Sequence, residues 1–412
     1  ARMPRGEKLL RIAVHVAVIL AWVGILAGII SRGLHYQWDL WPFYYGAKAW
    51  AAGLDPYSLE SLRDVSGEEG DLWFRYPLFT LYLFRLLNLF SYETAWYVWL
   101  GLKLVALGGL LVVWRRTFLR DTDGLLMVFA FLLAYNGTVP SDVFTGNKAT
   151  FEQLMLWFGF AALVRGYLWW FSATTVAASL FNVTPAAFLG LLLGVQERAR
   201  SITVMASAIV VLLLLLLVPY AVQPELFDSA LRAGSSAQDL GMDNPCFLGF
   251  LYHCAVLWPS SFVTGKHVSL MLWAVYAAII ISFSVKPLTR AARDGDIRYL
   301  IFLAVVTYAV AMPRMMCYAY ILLIPPTLLA IHHLFQRFSH RLIAVGVLSL
   351  PIRFLFVIPV IKIPSLFSMT SPISLISYYP WLLALVLWGL YISGKVKLAE
   401  DKSDAADITV VQ

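Results

Sequence analysis

The chain alternates between long apolar runs and short polar or basic breaks. Runs such as "IAVHVAVILAWVGILAGII" and "ITVMASAIVVLLLLLLVPY" are continuously apolar. Barrel strands alternate in and out, so these runs predict membrane-spanning helices. Spans are expected near 9–30, 93–114, 124–139, 151–165, 167–181, 184–195, 201–220, 268–285, 298–312, 317–334, 341–361 and 378–394. Several fall short of the roughly 20 residues that a straight span needs. The pair 167–181 and 184–195 also fits a re-entrant hairpin around "FNVTP". The run "YPLFTLYLFRLLNLF" at 76–90 is short and carries Arg85 in its middle.

The basic residues decide how 76–90 is placed. If it crosses the membrane, the next span delivers "WRRTFLR" to the outside, against the positive-inside tendency. If it lies along the outer surface as an amphipathic helix, then "WRRTFLR", "QERAR", "KPLTRAARDGDIR", "FQRFSHR" and "GKVKLAEDK" all fall inside. The second arrangement is adopted: about twelve spans, both termini cytoplasmic, and long outer loops at 31–92 and 221–267. In the first loop, "FYYGAKAWAAG" predicts a short juxtamembrane helix with its aromatics toward lipid, and "RDVSGEEGD" a solvated acidic loop. One spanning domain covers 1–400, and 401–412 reads as a mobile cytoplasmic tail. The first run is of full spanning length, so a retained helix is expected there and not a cleaved signal.

Composition agrees. Of 412 residues, 60% are hydrophobic and only 13% charged, against about 25% charged in soluble domains; mean hydropathy is +0.76. The expected class is an all-α polytopic membrane protein. The net charge of +7 is assigned to cytoplasmic anchors, with no nucleic acid implied. Cys246, Cys254 and Cys317 show no metal-ligand spacing and are read as small apolar residues. No Walker loop supports an ATP-driven pump.

Candidate chemistry starts at "WDLWPFYYGAKAW", where Asp39 follows the first span amid Trp38, Trp41, Phe43, Tyr44 and Tyr45. On the residues alone, an interfacial aromatic belt with one hydrated Asp is favoured over a functional carboxylate. Asp55 precedes a proline and reads as a turn cap. Lys103 and Arg353 fall inside predicted spans, where charges usually face a partner or a cavity. Asn136, Asn182 and Thr184 read first as helix-to-helix hydrogen bonders.

An ordered series of patterns adds to this: "WDLWPFYYGAKAW", "GLDPY", "YPLFTLYLF", "TGNKATFEQLML", "LFNVTPAAFLG", "NPCFLGFLYH" and "MPRMMCYAYILLIPP". Together the series resembles the membrane GT-C glycosyltransferases. More narrowly, it is similar to the polyprenyl-phosphate-mannose-dependent (GT87-like) enzymes of the phosphatidylinositol-mannoside type, over roughly residues 9 to 335. The chain departs from their pattern at Asn182, where they commonly have Lys, at Asn147, where they have Gln, and at Tyr318, near a frequent His.

The resemblance implies a helical GT-C bundle that transfers a sugar, mannose by analogy, from a polyprenyl-phosphate donor. The acceptor would be lipid- or glycan-linked, on the outer side of the plasma membrane. A single inverting displacement needs one carboxylate as base, whereas a retaining double displacement needs a second about 5 Å away. A phosphate leaving group needs cations but no general acid. Asp39 is the expected base, with the aromatics around it raising its pKa. Lys48, Arg75, Lys148, His253 and Arg314 are the expected donor-phosphate group, with Arg85 and Lys266 as further cations. Tyr44, Tyr45, Asn147, Asn182, Asn244 and Tyr318 complete the expected substrate site. No cofactor is required; metal dependence is open, and Glu68, Glu69 and Asp71 are read as solvated. The competing readings are a secondary transporter or flippase and a lipid-linked oligosaccharide ligase or polymerase. A cavity opening sideways to lipid beside Asp39 favours the enzyme; a path to the cytoplasm favours the transporter.

Overall fold

The computed structural model describes residues 5–32, 37–235, 240–241, 243–259, 265–350 and 370–396, and among these every regular element is a helix. Arg353, most of the second half of the expected 341–361 span and the 401–412 tail lie outside the described residues. The first helix, α1 (Arg5–Arg32), has 28 residues and is about 42 Å long at 1.5 Å per residue. Helices long and apolar enough to span include α5 (Tyr92–Val113, extended by one π turn to Phe118), α6 (Gly124–Thr145), α9 (Arg198–Val222) and α12 (Lys266–Asp294). Two more begin as 3-10 turns and end as α14 (Ile324–Leu334) and α16 (Tyr379–Ile392). Shorter apolar helices fill the centre: α7 (Ala149–Val164), α8 (Leu168–Phe181) and α13 (Ile297–Ala311). The run expected at 184–195 is a 3-10 helix, Thr184–Gly194, packed against α8.

Exposure separates the two groups. Ile209, Val210, Leu213, Leu214, Leu217 and Val218 of α9 are all exposed, the state expected of a helix whose outer face meets lipid. On α13, by contrast, Ile301, Phe302, Leu303, Val305 and Val306 are fully buried.

The segment after α1 folds as α2 (Leu40–Ala51), α3 (Leu59–Ser66) and α4 (Phe79–Phe84), the last continued by 3-10 turns Arg85–Leu89. Its α2 differs from expectation. Its aromatics do not face lipid: Trp41, Phe43, Tyr44 and Tyr45 are all buried. Phe43 stacks on Phe84 with ring centroids 4.4 Å apart, and Tyr44 meets Tyr92 edge-on at 5.2 Å. The physical reason is that α3, α4 and α5 cover α2 from several sides, so it is a core helix and not an interfacial one. The element at 79–89 carries the exposed apolar residues instead, among them Leu83, Leu86 and Leu89. At eleven residues it is too short to cross. Asp55 Oδ1 accepts the Tyr57 N–H at 2.9 Å, as a turn cap does.

The feature that positions the site is a break in α6. Ala134 is extended, and Tyr135 (φ 51°), Asn136 (φ 68°) and Gly137 (φ 72°) are left-handed. For a non-glycine residue this costs about 1–2 kcal/mol. Burial and specific contacts hold it: the Tyr135 hydroxyl meets Thr327 Oγ1 at 2.6 Å, and its ring lies 5.3 Å from that of Tyr320. The redirected half, 138–145, ends at Gly146 (φ 72°), where a Cβ would fall 2.9 Å from Gln37.

Three neighbours cap the carbonyls at that end. Asp39 N–H donates to Thr145 O at 2.8 Å, and Trp99 Nε1 to Gly146 O at 2.8 Å. Lys103 Nζ donates to Asp142 O and Asn147 O at 2.6 and 2.5 Å. A cation at a helix C-terminus is also favoured by the helix dipole.

Candidate active site

Two sizeable cavities stand out. One, of about 600 Å³, lies among α14, α16 and α15 (Phe338–Leu348); its walls are apolar apart from Tyr135, Thr327 and His340. The other, of about 560 Å³, holds the ionisable groups. It lies between the 72–77 segment, α7, the turn at Asn182–Thr184, the 312–319 segment, the end of α9 and α10 (Glu225–Ser235). Asp39, Arg75, Lys148, Glu152, Asn182, Arg314 and Tyr318 all line it. Leu216 and Leu217 of α9 and Phe227 and Leu231 of α10 form an apolar side. That side is continuous with the exposed face of α9.

Asp39 is half-buried at the start of α2. Its Oδ2 accepts from Asn147 Nδ2 at 2.9 Å. Asn147 Oδ1 accepts the Ala149 N–H at 3.1 Å, which fixes the amide so that its NH₂ faces the carboxylate. Burial pushes the Asp39 pKa up to about 6, against the hydrogen bonds from Asn147 and Thr145 and the charge of Lys103. A carboxylate tuned this way is still mostly ionised at neutral pH and is a stronger base than an exposed one.

The cations differ from one another. Arg75 has no ion pair among the described residues, and its Nε is buried without a partner. Arg314 sits exposed in the wall. Lys148 is already engaged: its Nζ lies 2.5 Å from Glu152 Oε2, with the Tyr76 ring 5.3 Å away. The loop carrying Arg75 is tied down by the Tyr57 hydroxyl, which donates to Tyr76 O at 2.9 Å and meets the Tyr220 hydroxyl at 3.0 Å. We expect Arg75→Gln to weaken donor binding about ten- to hundredfold, the worth of a charged hydrogen bond. An unchanged donor KM in Arg75→Gln would contradict this assignment.

The remaining expected site residues lie elsewhere. The Tyr44 hydroxyl donates to Phe90 O at 2.8 Å, and Tyr45 packs on Trp41 and Tyr92. Lys48 is exposed and reaches Val65 O at 3.2 Å. His253 is buried between Ser374 Oγ (2.9 Å) and the Tyr378 hydroxyl (3.2 Å). None of these four lines the cavity. Asn244 acts behind it: its Oδ1 accepts the Met315 N–H at 2.8 Å and so braces the segment that carries Arg314. Asn147 likewise stands behind Asp39.

Sequence reasoning missed Asp142, Glu152 and Gln153. Asp142 is fully buried and pairs with Lys103 at 2.8 Å. Gln153 is 2% exposed and lines the cavity with its Oε1 unpartnered. Among the described residues no group of three or more His, Cys, Asp or Glu side chains could hold a metal ion.

The family model for glycosyltransferase family 87 matches residues 73–313, more than half of the chain. The chain belongs to glycosyltransferase family 87. No curated protein matches it. The family 87 match takes in Arg75, Lys148, Glu152 and Asn182, and it ends one residue before Arg314. Asp39 precedes the matched stretch and comes to the same cavity through the fold.

Proposed function

We propose that this glycosyltransferase moves a sugar, mannose, from a polyprenyl-phosphate donor to a hydroxyl of a lipid- or glycan-linked acceptor, with inversion, at the outer face of the plasma membrane. The observation that carries the proposal is one cavity in which a half-buried carboxylate of raised basicity shares the space with the guanidinium of Arg75, which has no ion pair among the described residues, while the apolar side merges with a lipid-facing helix. The acceptor oxygen attacks the anomeric carbon as its proton passes to Asp39. The bond from that carbon to the phosphate oxygen breaks, and the phosphate leaves as an anion beside Arg75 and Arg314. Asn182 and Tyr318 line the same space and would contact the sugar or its phosphate. The isoprenoid would lie along Leu216, Leu217 and Phe227.

The transporter reading gains little from the deep charge that suggested it. Lys103 is fully buried, and its ammonium is engaged by Asp142 and Asn147.

The test is transfer by the purified protein in liposomes. Labelled polyprenyl-phosphate mannose should give labelled glycolipid or glycan, and a nucleotide sugar should not. Transfer from the nucleotide sugar, or movement of label across the bilayer without transfer, would overturn the reading. A base must be deprotonated to act, so kcat/KM should rise with pH along a limb near the Asp39 value of about 6 and level above it. A flat profile between pH 5 and about 7.5 would remove Asp39 as the base.

A further inference from the structure

Beneath the cavity floor lies a charged assembly that the reaction scheme does not use. Lys103 of α5 and Asp142 of the redirected half of α6 are both fully buried, with Nζ and Oδ2 2.8 Å apart. Lys103 also donates to Asp142 O and Asn147 O, so the three N–H groups of its ammonium are all spent. Thr150 Oγ1, from α7, donates to the same Asp142 oxygen. A buried ion pair is weak evidence for stability in itself, since apolar residues of similar volume do as well or better. What this one does is local: it clamps Asn147 from below while Asn147 holds Asp39 from below.

We infer that the Lys103–Asp142 pair is a positioning device for Asp39, acting through Asn147. The inference rests on the reading of Asp39 as the base. The chain of contact is short and complete. Lys103 Nζ binds Asn147 O, Asn147 Oδ1 is fixed by the Ala149 N–H, and Asn147 Nδ2 meets Asp39 Oδ2 at 2.9 Å. The same Lys103 bonds hold the end of the half-helix whose Thr145 carbonyl takes the Asp39 N–H. Side chain and backbone of the base are thus referenced to one buried cation.

The charged and titratable groups that face Asp39 are Lys103 from α5, Asp142 from α6, Tyr76 from the 72–77 segment and Tyr318 from the 312–319 segment. Arg75, Arg314, Lys148 and Glu152 share its cavity. Asn147 and Lys103 act against the burial that raises the Asp39 pKa, and Asp142 opposes them less strongly. Loosening the clamp therefore raises that pKa further.

The experiment uses the neutral pair Lys103→Met/Asp142→Asn, in which the new amide still accepts from Thr150. Donor KM should stay within about twofold, because no donor-binding residue is altered. The kcat at neutral pH should fall at least about tenfold, since small misplacement of a reacting group is expensive. The acid limb of kcat/KM should move up by about half a pH unit or more. A folded variant with native kcat and a native acid limb overturns the inference and leaves a merely structural pair. Should the variant fail to accumulate, Asn147→Ala decides, since it leaves the pair intact and cuts the link. A native profile in that variant overturns the inference, because the pair then has no route through Asn147 to Asp39. Asp39→Asn run alongside separates the two claims. If it stays active, the base reading falls whatever the pair does. If it is dead while the pair variants are native, only the positioning role falls.

Discussion

Asp39→Asn should fold, insert and bind donor, and lose turnover by a factor on the order of 10² to 10⁴, the usual worth of a general base. The amide keeps the size of the carboxylate and can keep the backbone bond to Thr145, but it cannot take a proton. The other carboxylate in the cavity, Glu152, is a poor substitute because Lys148 holds it at 2.5 Å. Asp55→Asn, shortly after α2, should cost little, since its Oδ1 only caps the Tyr57 N–H and an amide oxygen accepts equally well. Turnover and donor binding measured on the same preparations separate the cases. An Asp39→Asn protein with near-native turnover would remove the base.

The second large effect is on stability. Lys103→Met alone strips the cation from a fully buried Asp142 and leaves the carbonyls of Asp142 and Asn147 without that donor. Breaking one side of a buried pair costs about 3–5 kcal/mol, a large part of the roughly 5–15 kcal/mol that keeps a typical domain folded. The single variant should lose most of its monodisperse protein on mild heating in detergent. Adding Asp142→Asn should restore much of it, because no uncompensated charge then remains. Equal thermal profiles for native and Lys103→Met would mean that the pair contributes nothing to the fold.

These two residues also mark the limits of what the sequence tells. Asp39, Arg75, Lys148, Asn182, Arg314 and Tyr318 come from five separate stretches, and the order of those stretches along the chain sufficed to group them. Tyr44, Tyr45 and Lys48 were grouped with them by closeness to Asp39 in sequence. Successive residues of a helix point in different directions, and which face of α2 meets the cavity depends on what covers its other faces. Asp142 had a readable signal. It is an acid just past the predicted 124–139 span, one span away from a lone Lys103, and a charge placed within a span usually finds a partner. Glu152 stands four residues after Lys148, a spacing that pairs charges on a helix. The break in α6 was foreshadowed by Asn136-Gly137, a turn dipeptide inside an apolar run. That its second half reaches Thr145 depends on the carbonyl caps from α5 and Asp39, which no local pattern shows.

The proposed reaction is a single displacement at the anomeric carbon with one carboxylate as base. The anomeric configuration of the product, read by NMR against that of the lipid-phosphate donor, decides it. The inverted anomer is expected. A product that keeps the donor's configuration would require a covalent glycosyl–enzyme intermediate or same-face attack on an ion pair, and would exclude the single displacement.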